Sequence, residues 1–406
     1  MTAQWPPPVA RRANTSHAAL AFVVVIGIVS LFADMTYEGA RSIVGPYMQV
    51  LGASATAVGI VAGFGELVGY GLRLVSGYIS DRTRQFWTVA FTGYLVNLLA
   101  VPLLAIAGAW QVAALLIFAE RAGKAIRTPA RDAMISHASS QVGHGWAFGL
   151  HEALDQTGAV AGPLLLAGVL YLNGSYKMGF ALLLIPALLA LAVLSVGRLS
   201  YPNPRDFEMD LPEMKEATGL PQSFWLYLVG VALIAAAYAD FPLIAFHFKD
   251  ADIAADSSVP VFYAVAMGVD GAAALALGRF FDRAGIAALV AAFTASAFFP
   301  ILVFSNSFAL VLGGVVLWGV GLGAQESVMK AVVTRMVPPD RRASAFGVFN
   351  FGFGVPWFVG SALMGFMYDH SMAALVAFSM SLQVLAVVWI LAMRRRIGRP
   401  QAITTL

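Results

Sequence analysis

The uncharged stretch FWTVAFTGYLVNLLAVPLLAIAGAWQVAALLIFA, residues 86–119, decides the fold class. It is too long for one membrane-spanning helix, which needs about 20 apolar residues. Residues 108–110, Gly-Ala-Trp, interrupt it near its middle. A second uncharged run covers residues 284–325 and is broken at residues 306–307. Each run therefore predicts two transmembrane helices joined by a tight turn.

The composition excludes several classes of protein. Hydrophobic residues make up 59% of the 406 residues and charged residues only 12%, which is about half the charged share of soluble domains. A soluble globule and a disordered chain are both excluded on this ground. The formal charge of +3 comes from short basic clusters between apolar runs, a pattern that does not favour nucleic acid as a partner. The absence of cysteine excludes disulfides and thiolate chemistry.

The remaining apolar runs complete a set of twelve predicted transmembrane helices, called spans 1 to 12. The sequence therefore predicts an all-α membrane protein. The predicted spans cover approximately residues 18–45, 55–79, 86–106, 110–132, 146–171, 178–198, 223–248, 259–281, 286–304, 308–335, 343–367 and 372–393.

Lysine and arginine are distributed unevenly between the two sets of loops that connect these spans. Eighteen of the 25 lie on one set, whereas the opposite set holds only Lys177 and Lys249. Because basic loops are retained on the cytoplasmic side, we expect both termini and the central connection to be cytoplasmic. The protein is then a multi-pass protein of the cell membrane.

The two halves of the chain share sequence patterns at similar spacing, which indicates an internal repeat. The matching pairs are Ala33-Asp34 with Ala239-Asp240, Gly77-x-x-x-Asp81-Arg82 with Gly278-x-x-x-Asp282-Arg283, Glu120-x-x-x-Lys124 with Glu326-x-x-x-Lys330, and Ala147-Phe148-Gly149 with Ala345-Phe346-Gly347. Repeats in the same orientation imply a pseudo-twofold axis along the membrane normal and a cavity between the halves.

We expect three regions in the chain. Residues 1–199 form an N-terminal six-helix bundle, and residues 222–406 form a C-terminal six-helix bundle with a basic cytoplasmic tail. Residues 200–221, rich in proline and acidic side chains, form a cytoplasmic linker between them.

Two loops carry a family resemblance. After span 2 the chain reads GYISDRTR from Gly77 to Arg84, and after span 8 it reads GRFFDRAG from Gly278 to Gly285. Both resemble the loop signature G-x-x-x-D-R-x-G-R of the major facilitator superfamily, although Arg84 replaces the second glycine. The resemblance covers nearly the whole chain. It implies the major facilitator fold, and a looser similarity points to bacterial drug or metal efflux members.

The resemblance assigns roles to two sets of residues. It implies a cytoplasmic gate, for which helix-end charge is the structural alternative. The gate residues are Gly77, Asp81, Arg82, Arg84, Gly278, Asp282 and Arg283. In span 5, Gly158-x-x-x-Gly162-Pro163 is similar to the core of a motif associated with antiporters, although the following glycine pair is missing.

Nine carboxylates lie within the predicted spans, where each ionised group costs about 2.5–3.5 kcal/mol. Such groups persist when they face a wet cavity, form ion pairs or bind protons. In the implied fold, spans 1, 4, 7 and 10 line the cavity and carry five of the nine. The predicted cavity and proton-coupling residues are Asp34, Glu38, Arg41, Glu66, Glu120, Arg121, Lys124, Glu152, Asp155, Asp240, Asp270, Glu326 and Lys330.

Each of these residues also has a structural interpretation. Asp34, Glu38 and Arg41 share one helix face, so Arg41 is expected to hold Glu38 ionised and to leave Asp34 as the protonatable member. The alternative is an ion pair that only fixes span 1. The pairs Glu120–Lys124 and Glu326–Lys330 are either self-neutralising or part of a substrate site.

Span 5 begins with a possible metal-binding pattern. His151 and Asp155 share a helix face and could hold a divalent cation in transit. The second histidine of the zinc-protease signature H-E-x-x-H is missing, so catalysis is not expected. Whether a metal binds stays open.

The sequence favours a secondary transporter that exports a cationic or neutral amphipathic molecule, or a divalent metal, by alternating access. No phosphate-binding loop is present, so we expect the proton gradient, without a cofactor, to supply the energy. The expected partners are a small-molecule substrate, protons and membrane lipid, but not nucleic acid, and a monomer is expected to suffice. The alternatives are proton-coupled uptake, a non-transporting sensor and a membrane-embedded enzyme.

Overall fold

The computed structural model describes residues 9–207, 220–337 and 342–397, and these residues are helical apart from short connections. Sixteen α-helices follow one another along the described chain. They are α1 (Val9–Val50), α2 (Ala55–Thr83), α3 (Phe86–Leu103), α4 (Trp110–Val142), α5 (His144–Asn173), α6 (Tyr176–Leu182), α7 (Leu184–Ser200), α8 (Gln222–Ala237), α9 (Phe241–Asp250), α10 (Val259–Ala284), α11 (Ile286–Ser296), α12 (Phe299–Val303), α13 (Phe308–Gly323), α14 (Lys330–Met336), α15 (Arg342–His370) and α16 (Met372–Ile397).

The predicted all-α membrane fold is confirmed. Eleven helical segments of the described chain are long and apolar enough to cross a membrane. Span 4, which is α4, lies between two of them and carries Glu120, Arg121, Lys124, Arg127 and Arg131. These charged side chains lower the mean hydropathy of α4, so hydropathy alone does not identify it as a transmembrane helix.

In the described chain, spans 6, 7, 9 and 10 are interrupted where the sequence predicted continuous helices. The irregularities in spans 7 and 10 bear on the cavity. Span 7 consists of α8 and α9, which are separated at Tyr238, Ala239 and Asp240. The indole of Trp318 donates to the Ala239 carbonyl at 2.9 Å, and the Tyr238 hydroxyl donates to the Trp318 carbonyl. A backbone break at membrane depth requires such internal partners.

Span 10 contains a second irregularity. Residues Ala324–Met329, between α13 and α14, form a π-helical turn. Such turns occur often at functional sites, and this one carries Glu326.

The helices form an N half, α1–α7, and a C half, α8–α16. Within the N half, α1 packs on α5 and α3 on α4; within the C half, α10 packs on α13 and α8 on α16. Between the halves, α2 packs on α15, α5 on α10 and α1 on α9. Most of the predicted linker, residues 208–219, and the end of the predicted basic tail, residues 398–406, lie outside the described residues.

The molecule has two ends, which we name the terminal face, where α1 begins and α16 ends, and the distal face opposite. At the distal face the halves contact each other closely: a Cβ on Gly45 would collide with the Pro242 carbonyl, and one on Gly59 with the Ser361 carbonyl. Asp369 of α15 also accepts hydrogen bonds from the first backbone N–H groups of α2, at 3.1 Å and 2.8 Å. The distal face is therefore closed.

Glycines of the antiporter-like motif form the contact between α5 and α1. A Cβ on Gly158 would collide with the Leu31 carbonyl, and one on Gly162 with the Met35 carbonyl. The motif therefore lets two helices of the N half approach at backbone distance.

We expect Gly158→Ala and Gly162→Ala each to destabilise the protein, because the added methyl group must separate α5 from α1, at a cost of about 1–3 kcal/mol. Gly149→Ala and Gly168→Ala are matched controls on the same helix, where a Cβ meets open space. Apparent melting temperatures of the purified variants measure the effect. Equal melting temperatures for all four variants would contradict the packing assignment.

We expect Asp369→Asn to open the distal face, because it removes a charged cap that joins the halves. A charge-assisted cap is worth about 1 kcal/mol or more, which corresponds to a roughly five-fold or larger shift in population. Distances between spin labels at Leu172 and Asn306, exposed on opposite halves of the distal face, measure the change. Asp252→Asn, on the same face, serves as the control, and identical distance distributions for both variants would refute the latch.

Candidate functional site

A central cavity lies between the two halves and has two lobes. The basic lobe, of about 910 Å³, is lined by Tyr37, Glu38, Arg41, Glu66, Gly69, Tyr70, Arg73, Arg121, Lys124, Leu322, Gln325, Glu326, Lys330, Phe349, Asn350, Phe353 and Trp357. The acidic lobe, of about 470 Å³, is lined by Asp34, Glu38, Arg41, Lys124, Glu152, Asp155, Gln156, Ala159, Tyr263, Met267, Asp270, Leu322 and Glu326. Because five lining residues are common to both, the lobes are adjacent parts of one cavity.

An ion pair crosses the interface beside the cavity. The Arg41 guanidinium of α1 lies 3.2 Å from a Glu66 carboxylate oxygen in α2 and 3.3 Å from an Asp240 oxygen in the C half. The side chains of Arg41 and Glu66 are only about 15% exposed, so this is a largely desolvated contact. Arg41 thus joins two helices of the N half to span 7 of the C half.

Asp240 is placed by the break in span 7. It lies at the N-terminus of α9 and is 1% exposed. Its second oxygen accepts from the Trp357 indole at 2.8 Å and from the Ser361 hydroxyl at 2.7 Å. Both carboxylate oxygens are therefore occupied, as a buried charge requires.

Glu38 has partners other than the expected one. It accepts from the Tyr263 hydroxyl of the C half, and its other oxygen lies 3.6 Å from the Lys124 ammonium. The expected Arg41–Glu38 pair is not formed among the described contacts, because Arg41 turns toward Glu66 and Asp240. Glu38 therefore also links the two halves.

Asp34 lines the acidic lobe and forms its ion pair within the N half. Its carboxylate lies 3.3 Å from the guanidinium of Arg127, a side chain that is 0% exposed. The Arg127 guanidinium also lies 4.5 Å from the centre of the Tyr94 ring. The pairing corresponds to the structural interpretation of Asp34, a charge that fixes α1 against α4.

Glu120 and Lys124 do not pair with each other. Glu120 accepts from the Asn97 amide at 2.7 Å and lies 3.6 Å from Arg121, while Lys124 turns to Glu38. Arg121 also reaches Glu66 at 3.1 Å. Span 4 therefore contributes a network instead of a self-neutralised pair.

The predicted metal pattern on α5 has other contacts. His151 lies 2.8 Å from the Ser30 hydroxyl, and Asp155 lies 3.9 Å from Arg131. In the parts of the chain that the structure describes, no group of three or more His, Asp or Glu side chains could hold a metal ion. His151 and Asp155 thus contact α1 and α4, respectively.

Of the nine predicted acids, three have no cationic partner within 4.0 Å among the described side chains: Glu152, Asp270 and Glu326. Asp270 is 2% exposed, accepts from the Gln156 amide at 3.0 Å, and has a second oxygen without a hydrogen-bond partner. Glu326 and Lys330 are both exposed to the cavity. These three acids all line the acidic lobe.

The predicted gate residues lie at the terminal face. Asp282 pairs with Arg335 of its own half at 3.2 Å, and both side chains are more than half exposed. Arg82 donates to the Tyr78 hydroxyl at 2.6 Å. Nothing is described for the side chain of Asp81.

Backbone conformation explains the glycine in the loop signature. Arg84 has a φ of 58° and Gly285, at the matching position of the second copy, has a φ of 59°. Both residues end a helix in the left-handed region, which favours glycine. Gly77 and Gly278 lie one turn before the two aspartates.

Sequence reasoning missed several residues of the site. Tyr37, Tyr263 and Trp357 lie in apolar runs, where an aromatic side chain facing a cavity has the same pattern as one facing lipid. Arg73 lies seven residues after Glu66, two turns along the same face of α2. Tyr37 lies one helical turn before Arg41, and this spacing indicates that both side chains lie on the same face of the helix.

The two half-bundles and their charged interface cavity define a membrane transporter. The chain belongs to the Major Facilitator Superfamily, whose family model matches residues 26–361 and 286–404.

The chain is similar in sequence to two known proteins. An uncharacterized protein of Mycobacterium tuberculosis is 42% identical over 383 residues, covering 93% of this chain and 94% of the relative. An uncharacterized MFS-type transporter of Methanocaldococcus jannaschii is 23% identical over 360 residues, covering 86% and 89%.

Among solved structures, a POT peptide transporter in complex with sulfate has a TM-score of 0.74 at 16% identity, covering 93% of this chain and 95% of the other. A bacterial homologue of the human lysosomal transporter Spinster, in an inward-facing state, has a TM-score of 0.66 at 12% identity, covering 93% and 96%. At these identities the likeness concerns the fold.

We expect Asp240→Asn to destabilise the protein by about 3 kcal/mol, because it leaves Arg41 without its partner in the other half. The double variant Arg41→Gln with Asp240→Asn should recover part of the loss, since neither charge is then unpaired. Apparent melting temperatures measure both effects. Asp282→Asn, which breaks an exposed pair, is the control and should cost less than about 1 kcal/mol. Equal losses for Asp240→Asn and the control would contradict the assignment.

Proposed function

We propose that this protein is a proton-coupled secondary transporter that exports a small molecule by alternating access. The observation that carries the proposal is the charged cavity between two half-bundles that are closed against each other at the distal face. Alternating access requires a binding site that is open to one side of the membrane while the other side is closed. The cavity belongs to a single chain, so a monomer suffices.

The proposal places the terminal face in the cytoplasm, on the strength of the lysine and arginine distribution. Both termini then lie inside the cell, and the described state is open toward the cytoplasm. In support, the lining of the basic lobe continues toward the terminal face through Arg73, Lys330 and Phe349, each of which lies within about three helical turns of a terminal-face helix end.

We assign proton binding to the carboxylates that have no cationic side chain within 4.0 Å. Six of the nine predicted acids have a cationic group within 4.0 Å: Asp34, Glu38, Glu66, Glu120, Asp155 and Asp240. Asp270 has only the Gln156 amide and an unpartnered oxygen. A buried carboxylate that lacks a cation is stabilised by binding a proton, so Asp270 replaces Asp34 as the proposed proton carrier. Glu152 and Glu326, which are exposed to the cavity, are the proposed path by which protons reach it.

Protons entering from the distal face would neutralise the acidic lobe and weaken its hold on a cationic group of the substrate. The carrier would then return to the state open at the terminal face. The lack of a phosphate-binding loop in the sequence supports a gradient, not ATP, as the energy source. Export of a cationic or neutral amphipathic molecule fits this cycle best. Uptake is the alternative that the following experiment separates.

We expect transport to depend on the proton gradient and on Asp270. Proteoliposomes containing the protein are given a ligand identified by a thermal-shift screen, and accumulation is followed with and without an imposed pH gradient. Asp270→Asn should abolish gradient-driven accumulation yet retain exchange of labelled for unlabelled ligand, because exchange requires no net proton release.

Asp252→Asn, on the distal surface, is the control and should behave as the wild type. Ligand that moves in the direction opposite to the protons indicates export. Ligand that moves in the same direction as the protons indicates uptake. Uphill transport that continues after every ion gradient is collapsed would overturn proton coupling. Gradient-driven accumulation by Asp270→Asn would overturn the assignment of the proton carrier alone.

A further inference from the structure

The charges of the cavity are sorted by sign. In the basic lobe, Arg41, Arg121 and Lys124 each have a carboxylate within 4.0 Å. Two cations of that lobe, Arg73 and Lys330, have none among the side chains that the structure describes. The unpaired charge of the basic lobe is therefore mainly positive, with Glu326 at the boundary between the lobes.

The two unpaired cations come from different halves. Arg73 belongs to α2, where its guanidinium lies 5.3 Å from the centre of the Tyr70 ring and its Nε is buried without a partner. Lys330 begins α14 directly after the π-helical turn. Since both line the same lobe, closing the halves around it brings like charges together.

The acidic lobe has the opposite arrangement. Glu152 of α5 and Asp270 of α10, again one from each half, lack cationic partners within the described chain, and both line this lobe. Within the described chain, Asp270 accepts a hydrogen bond from the amide of Gln156. Closure brings these like charges together as well.

We propose that the substrate is zwitterionic, with a carboxylate or similar anionic group bound by Arg73 and Lys330 and an ammonium group bound by Glu152 and Asp270. The inference rests on the proposed transport function and narrows its substrate class. A molecule that carries both charges relieves the repulsion in both lobes at once, whereas a proton relieves it in the acidic lobe alone. A purely cationic substrate leaves Arg73 and Lys330 facing each other uncompensated.

The test uses four probe series with matched chains from propyl to octyl: ω-amino carboxylates, carboxylates, primary amines and primary amides. Each is added to the purified protein at neutral pH, and the apparent melting temperature is measured over a range of concentrations. The ω-amino carboxylates should stabilise the protein most, with an optimum chain length set by the separation of the two lobes.

Variants then assign the two ends of the ligand. Arg73→Gln and Asp270→Asn should each weaken ω-amino carboxylate binding by roughly ten-fold or more, because a hydrogen bond to a charged group is lost. Arg73→Gln should leave amine binding unchanged, and Asp270→Asn should leave carboxylate binding unchanged. Glu152→Gln, at an exposed position, repeats the acidic test if Asp270→Asn folds poorly. Arg198→Gln and Asp252→Asn, both outside the cavity, are the matched controls.

Stabilisation by amines or carboxylates that equals that of the ω-amino carboxylates overturns the proposal, as does a lack of stabilisation by all four series. Losses in the cavity variants no larger than in the controls also overturn it. The measurement needs neither a membrane nor a gradient, so its failure differs from a failure of proton coupling. If amines alone bind while gradient-driven transport holds, the proposed function stands and the zwitterion does not.

Discussion

Charge compensation at membrane depth is the constraint on which this structure depends, and the Arg41–Asp240 pair is its central instance. Asp240 is almost fully buried and is met by Arg41, Trp357 and Ser361. Because an unpaired buried charge is costly, the break in span 7, the approach of α1 and the position of α15 all depend on this carboxylate. The pair joins the N half to the C half next to the cavity, where a transporter must change its contacts.

The same constraint separates charges that hold the helices from charges that are free to bind. Asp34 with Arg127, and Glu120 with Asn97 and Arg121, are satisfied within the N half. The remaining uncompensated groups line the cavity, and they alternate between the halves within each lobe. In the proposed cycle, a ligand or proton that supplies the missing charge also removes the repulsion between the halves, so binding and closure are coupled through the same atoms.

The sequence predicted the helical class and the membrane spans, because both depend on long-range patterns of hydrophobic residues. The internal repeat, inferred from recurring motifs, stays a prediction. The sequence also located the acids that line the cavity. It did not predict the partners of those acids, since Arg41 reaches Asp240 across 199 positions of sequence. Nor did it predict the break at Tyr238–Asp240, where the Ala239 carbonyl accepts from Trp318 and the neighbouring Ala237 carbonyl accepts from Ser379, both side chains of distant spans.

The central claim is that opening at one face and closing at the other are a single motion of the two halves. Distances between spin labels test it most directly, with one pair at Gln85 and Arg279 on the terminal face and another at Leu172 and Asn306 on the distal face, all at exposed positions. Both pairs are measured in lipid nanodiscs over a pH series. We predict that, as the pH changes, the fraction of molecules with a long distance between labels falls at one face and rises by the same amount at the other. Long distances at both faces under one condition, or fractions that vary independently, would contradict the account.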